Sequence, residues 1–214
     1  FDAYDVWLAE MFAAQAVAAI QNARLFAEER HQRRIADTLR DAALVLASTL
    51  TLDEALKRLI ETAQGLFPRV QAVTVQQLDR ANQTLQTIAA SRGAIFNPQK
   101  MAFHPGEGIA GHAIAERRVI NVPDVTTDPR FLPGAPASNF RSLLVAPLIA
   151  GERVWGTFSI TAAEVGRFSA EDENLAELLA RHAAVAIENA HLHDSERRQR
   201  EMADTLRDIG LVLT

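Results

Sequence analysis

Ser142-Leu143-Leu144-Val145-Ala146-Pro147-Leu148-Ile149, then Ala150-Gly151-Glu152-Arg153, then Val154-Trp155-Gly156-Thr157-Phe158-Ser159-Ile160-Thr161: two apolar, β-branched runs meet at a turn led by glycine. Gly at the first loop position suits a type II′ turn, whose twist matches that of paired antiparallel strands, so the stretch predicts a hairpin. Further along, Phe168-Ser169-Ala170-Glu171-Asp172 opens a long helical run, with Ser169 as N-cap, Asp172 as its capping-box partner and Glu171 favourable to the helix dipole. Upstream, Thr51 followed by Glu54 sets a second capping box, predicting a helix from Leu52 to about Leu66 that Gly65 and Pro68 close. Between these, Val70–Leu78 and Thr84–Ala90 flank Asp79-Arg80-Ala81-Asn82 as a second antiparallel pair. The mixture is an α+β layer.

Composition narrows the function classes. The chain is 48% hydrophobic and 23% charged over 214 residues, ordinary for a folded protein with a sizeable core. With 22 Lys+Arg against 27 Asp+Glu it lacks the basic excess that binding a phosphate backbone demands, so no nucleic-acid partner is expected. No apolar run approaches the roughly 20 residues of a membrane span, so none is expected in this fragment. There is no cysteine, which removes disulfides, thiol nucleophiles and thioether-linked chromophores and leads to the expectation of a cytoplasmic setting.

An internal repeat organises the ends. Phe168 onward aligns with Phe1 onward: Ala19-Ile20-Gln21-Asn22-Ala23-Arg24-Leu25 matches Ala186-Ile187-Glu188-Asn189-Ala190-His191-Leu192, and Ala36-Asp37-Thr38-Leu39-Arg40-Asp41 recurs unchanged from Ala203 to Asp208. Phe1 in place of Met and the apolar end Leu211-Val212-Leu213-Thr214 lead to the expectation of a piece cut from a longer tandem array. On this reading residues 1–47 are the last and connecting helix of a preceding copy, 48–190 one domain, and 191–214 the helix leading to a following one. Both repeats read as long helices, and alternate steps of four and three give a heptad seam through Leu178, Val185, Asn189 and Leu192, with Met11, Asn22 and Leu25 equivalent in the first copy. Such a seam predicts a homodimer through the terminal helices, its buried Asn fixing register at a cost in stability. The alternative is that these apolar faces pack only on their own domains and the charged middle, 30–34 and 197–201, is solvated.

Gly106-Glu107-Gly108-Ile109-Ala110-Gly111 satisfies G-x-G-x-x-G. The dinucleotide reading needs a buried parallel strand immediately before the glycines; Phe103-His104-Pro105 stands there instead, so a tight loop capping a short helix, Ile109 to Glu116, is the expected structure. Then follows the Pro-punctuated stretch Val122-Pro123-Asp124-Val125-Thr126-Thr127-Asp128-Pro129-Arg130-Phe131, which can continue neither helix nor sheet. The order of these motifs, with Ser142-Leu143-Leu144-Val145-Ala146-Pro147-Leu148, Gly156 and Phe168-x-x-x-Asp172, resembles a GAF domain over roughly residues 48–190. The resemblance implies a central antiparallel sheet with helices packed on one face, a loop and short-helix cover on the other, and long N- and C-terminal helices flanking both. It also implies a sensory role in a signalling protein such as a sensor histidine kinase, with a small-molecule pocket beneath the cover.

The ligand stays unknown at this level. Within the family a covalent bilin needs Cys, as does methionine sulfoxide reductase activity, and this chain has none. Cyclic-nucleotide binders carry an Asn-Lys pair that is absent upstream of Phe168, Asp172 and Glu173. Haem would need His104 or His112 as axial ligand, and lone histidines are more often hydrogen-bonded structural groups. The spacing of His182, His191 and His193 on one helix does not favour zinc. The candidate lining is Phe103, Ile109, His112, Phe131, Phe140, Arg141, Ser142 and Phe158. Arg141 either holds a carboxylate or phosphate or pairs with Asp124 or Asp128. The expected function is a non-enzymatic sensory module relaying ligand binding through dimeric helices; the alternative is a ligand-free dimerisation spacer.

Overall fold

The computed structural model describes residues 51–92, 104–132 and 140–212, with side chains to 203, and the isolated positions 11, 15, 17 and 20–22. The chain divides into two units, Phe1–Asp41 and Ala42–Thr214. In the first, Met11, Gln15, Val17, Ile20, Gln21 and Asn22 are helical and exposed. Leu25 lies outside the described residues.

The second unit begins with α1, Leu52–Leu66. Its bounds are those expected, but the Thr51 side chain makes no cap bond. Glu54, its intended partner, is held by Arg58 one turn later at 2.7 Å, so the carboxylate serves an i,i+4 pair instead. Strands β1 (Ala72–Asp79) and β2 (Thr84–Ala90) follow. Asp79 turns the chain between them, its carboxylate accepting from the Ala81 amide at 2.9 Å and from Asn82 Nδ2 at 2.7 Å. Helix α2 (Gly108–Glu116) and the short β3 (Ile120–Val122) lead to the hairpin of β4 (Ser142–Ala150) and β5 (Arg153–Ala162). Of the two turn residues only Gly151 has positive φ, as a type II′ turn requires. The last element is α3, Ala170–Val212. Its capping box is complete: the Ser169 amide donates to Asp172 Oδ2 at 2.8 Å and the Asp172 amide to Ser169 Oγ at 3.2 Å.

All pairings are antiparallel, in the order β2-β1-β5-β4-β3. The central contact, β1 against β5, joins segments far apart in the chain. At Gly156 a Cβ would collide with the Gln76 carbonyl oxygen. α1 and α3 pack on each other and on the sheet, α3 across β4 and β5 and α1 against β1. The opposite face is covered by α2 and the segment after β3, through a buried cluster that includes Ile109, Ala113, Ile114, Ile120, Val122, Val125, Leu143 and Val145. This is the expected α+β architecture: helices on one face, a short helix and loop on the other.

Candidate functional site

Side chains alternate between faces along each strand, and directly paired residues share a face. Leu143 and Val145 pack in the cluster under α2, so their partners Thr161 and Ser159 face the cover as well. Thr157 faces it too, and β1 supplies Gln76, Thr74 and Ala72 opposite Thr157, Ser159 and Thr161. The cover face therefore has an apolar half, on β3 and β4, and a polar half, on β1 and β5. That polar half is buried: Thr157 is 0%, Gln76 5%, Ser159 6% and Thr161 9% exposed. Thr157 Oγ1 donates to Gln76 Oε1 at 3.1 Å, Gln76 Nε2 donates to Thr87 Oγ1 on β2 at 3.5 Å, and Thr161 Oγ1 to the Ala72 carbonyl at 3.4 Å. None of these side chains ionises.

The loop around α2 explains its glycines structurally. The Gly106 amide donates to the Gly111 carbonyl at 2.8 Å and the Glu107 amide to the His104 carbonyl at 2.9 Å, folding the chain back on itself. A Cβ on Gly111 would strike the His104 carbonyl oxygen, so this glycine serves close packing. No parallel strand precedes the motif in the described residues, which removes the context a dinucleotide site needs. His104 and His112 each direct Nδ1 at a backbone carbonyl, of Gln83 at 2.9 Å and of Gly108 at 2.7 Å. A carbonyl only accepts, so Nδ1 carries the proton in both, and each ring has a structural role. Among the described residues no group of three or more His, Asp or Glu is placed to hold a metal ion.

Of the residues singled out from sequence, Ile109 is buried in the cover cluster, and Phe131 and Phe140 pack on its edge. Their rings meet edge to face at 6.0 Å and 86°. Half-buried His112 is on the same helix as Ile109. Phe103 lies outside the described residues. Two others are displaced by register. Phe158 pairs with Ala146 and Val75, and Ser142 pairs with Ala162 next to cover-facing Leu143, so both point to the helix side. They belong to the main core, and the alternation of the strand is the reason. Arg141 is engaged: its Nη2 and Nε donate to Asp124 Oδ2 and Oδ1 at 2.7 and 3.3 Å. That bond, with others from the Thr126 hydroxyl and amide, holds the Asp124 carboxyl far below the usual carboxylate range. The pair pins the post-β3 segment to the start of β4 and is not a free anion clamp. Asp128 is likewise held low, first by its hydrogen bond from Arg130.

A family model described as GAF domain matches residues 49–188. The chain belongs to the GAF domain family. Solved structures agree in fold. The GAF domain of a phosphoenolpyruvate-protein phosphotransferase from Coxiella burnetii superposes with a TM-score of 0.65 at 22% identity, over 75% of this chain and 96% of that one. The corresponding domain from Acinetobacter gives 0.63 at 21%, over 76% and 98%. The free methionine-R-sulfoxide reductase of Neisseria meningitidis, solved with its substrate, gives 0.63 at 20%, over 74% and 90%. The fold is thus shared by an enzyme and by domains of larger proteins.

Sequence reasoning missed Gln76, Thr157, Ser159 and Thr161. The signal was present as strict alternation, Thr157-Phe158-Ser159-Ile160-Thr161, but a polar face of that kind reads as solvent-exposed until a cover is known to lie over it. A concavity of about 480 Å³ opens between α1 and the edge strand β2, with Leu56, Lys57, Ile60, Ile88 and Arg92 among its lining. It is open and of mixed charge, and lacks the convergent buried polar groups of a binding site.

Proposed function

We propose that this GAF domain is a non-enzymatic sensory or regulatory module of a cytoplasmic signalling protein, for example a sensor histidine kinase. It binds a small molecule between the sheet and its cover and relays the signal through helices that pair in a homodimer. The observation that carries the reading is the buried polar row Gln76, Thr157, Ser159 and Thr161 beside an apolar wall of Leu143 and Val145. Small-molecule sites combine these elements: an apolar enclosure with a few placed polar groups. Ile109, His112, Phe131 and Phe140 would form the wall. The floor is uncharged, which favours a neutral ligand over an anion. The absence of cysteine removes thiol chemistry, which supports binding over catalysis. Among the described residues no helix is long and apolar enough to cross a membrane.

The helical relay is supported by the outer face of α3. Leu178, Val185 and Leu192, one heptad apart, are 41%, 47% and 56% exposed, which suits knobs of a dimer seam, with half-buried Asn189 between them. The same exposure favours a second reading, a dimerisation spacer without a ligand. Native mass spectrometry of the purified chain separates the two: dimer with retained small-molecule mass is the expected result. Bare dimer together with flat thermal shifts across a metabolite panel would leave the spacer. Asn189→Leu is expected to tighten the dimer by replacing a polar seam position with an apolar one, and unchanged monomer in sedimentation for both proteins would remove the seam.

A further inference from the structure

Helix α3 changes character at one residue. Up to Ala190 its inner face is buried, with Leu179, Ala183, Ala186, Ile187 and Ala190 all at 3% exposure or less. From Leu192 to Ala203 every side chain is exposed except half-buried Asp194. His191 stands at the change. Its ring lies flat on the buried indole of Trp155, with centroids 4.5 Å apart and planes 11° from parallel. Its Nε2 is 3.3 Å from Gln77 Nε2, and the Arg153 guanidinium rests 3.7 Å from the centroid of the same indole. With Gln77 presenting its nitrogen, which can only donate, this arrangement has His191 Nε2 accepting, as a neutral imidazole does.

We propose that Gln77, Trp155 and His191 form a clasp that anchors α3 to the sheet at the point where its outgoing half begins while the imidazole is neutral, and releases it on protonation. Two changes drive the release. Protonated Nε2 becomes a donor facing the amide N–H of Gln77, and a second cation is brought onto an indole that already carries Arg153. The charged groups that face the ring are Arg153 from β5 and, on α3 itself, Asp194, which favours the imidazolium, and Arg198, which opposes it; β1 contributes only neutral Gln77. Burial first, then Arg153, holds the His191 pKa below its ordinary 6.5. A histidine depressed in this way binds its proton less readily folded than unfolded. The clasp therefore contributes fully above pH 6.5 and is lost as pH falls through the lowered folded value. The inference needs no ligand and stands apart from the function proposed above. It supplies a second input, acidity, to the helix that would carry the signal.

Hydrogen exchange of the whole chain tests it, comparing peptides of α3 after residue 190 at about pH 7.5 and about pH 5 after correction for intrinsic exchange. Protection of that segment is expected to fall several-fold in acid while β4 and β5 keep theirs. His191→Phe keeps the stacked ring but cannot titrate, and is expected to abolish the acid dependence. In Trp7→Phe, Trp155 is the remaining tryptophan of two, and its fluorescence is expected to titrate with a midpoint below 6.5. Equal protection at both pH values would overturn the proposal, because the Gln77 amide would then have turned its carbonyl to the imidazolium and kept the clasp shut. So would wild-type acid dependence persisting in His191→Phe. Should that variant fail to fold, a Trp155 signal flat across the range overturns it in the otherwise native chain.

Discussion

The two faces of β5 are equally buried and chemically opposite. Phe158 and Ile160 are sealed against the helices at 0% exposure, while Thr157 and Ser159, alternating with them, are sealed beneath the cover at 0% and 6%. On the helix side burial removes apolar area from water and so stabilises the fold directly. On the cover side burial removes hydroxyls and an amide from water, which costs free energy unless they are paired. A domain built only for stability would fill both faces alike. The cover face bears that cost, and the recognition role proposed for it rests on this contrast.

Four substitutions break or sharpen the contrast. Phe158→Ala acts on the stabilising face and should have the largest effect, a loss of about 3–5 kcal/mol from the cavity it opens, read as a lower urea midpoint. A loss under about 1 kcal/mol would place Phe158 outside the core. Thr157→Val, one residue along, keeps the volume and leaves Gln76 Oε1 without its donor, so a cost of about 1–3 kcal/mol is expected. Adding Gln76→Leu should restore most of that stability, since both partners are then apolar, while abolishing retention of any small molecule. If the double variant still retains ligand, the polar row is only structural. The smallest effect belongs to Ser142→Ala. Ser142 Oγ is buried on the helix side with no hydrogen-bond partner, and its removal is expected to raise stability by about 1 kcal/mol, seen as a small rise in Tm. A fall would reveal a bond that the hydroxyl makes.

Local signals carried much of the fold. The β4–β5 hairpin was legible because one glycine in a two-residue turn sets both strands, and the start of α3 because Ser169 and Asp172 satisfy each other across its first turn. The same pattern at Thr51 and Glu54 marked the helix start but not its bonding, because Arg58 competes for the carboxylate. The candidate site was less legible. Ile109, Phe131 and Phe140 lie in or against the cluster beneath the cover, since their chain segments form it. Phe158 points to the helices instead, because a strand residue's face depends on register, and one step of register exchanges one face of the sheet for the other. Arg141 was undecided between a ligand and Asp124 until the loop geometry brought the carboxylate to 2.7 Å.

By itself the sequence determined the element types, the two hairpin pairings and the family, because turns, caps and alternation act over a few residues. It also excluded thiol chemistry, since composition needs no structure. Only the tertiary structure decided that β1 lies beside β5, that the row from Thr157 to Thr161 is covered, and that His191 meets Trp155 and Gln77. These are contacts between segments far apart in the chain. Their free energy comes from closing long loops around a shared core, and no local pattern records which partner that closure brings.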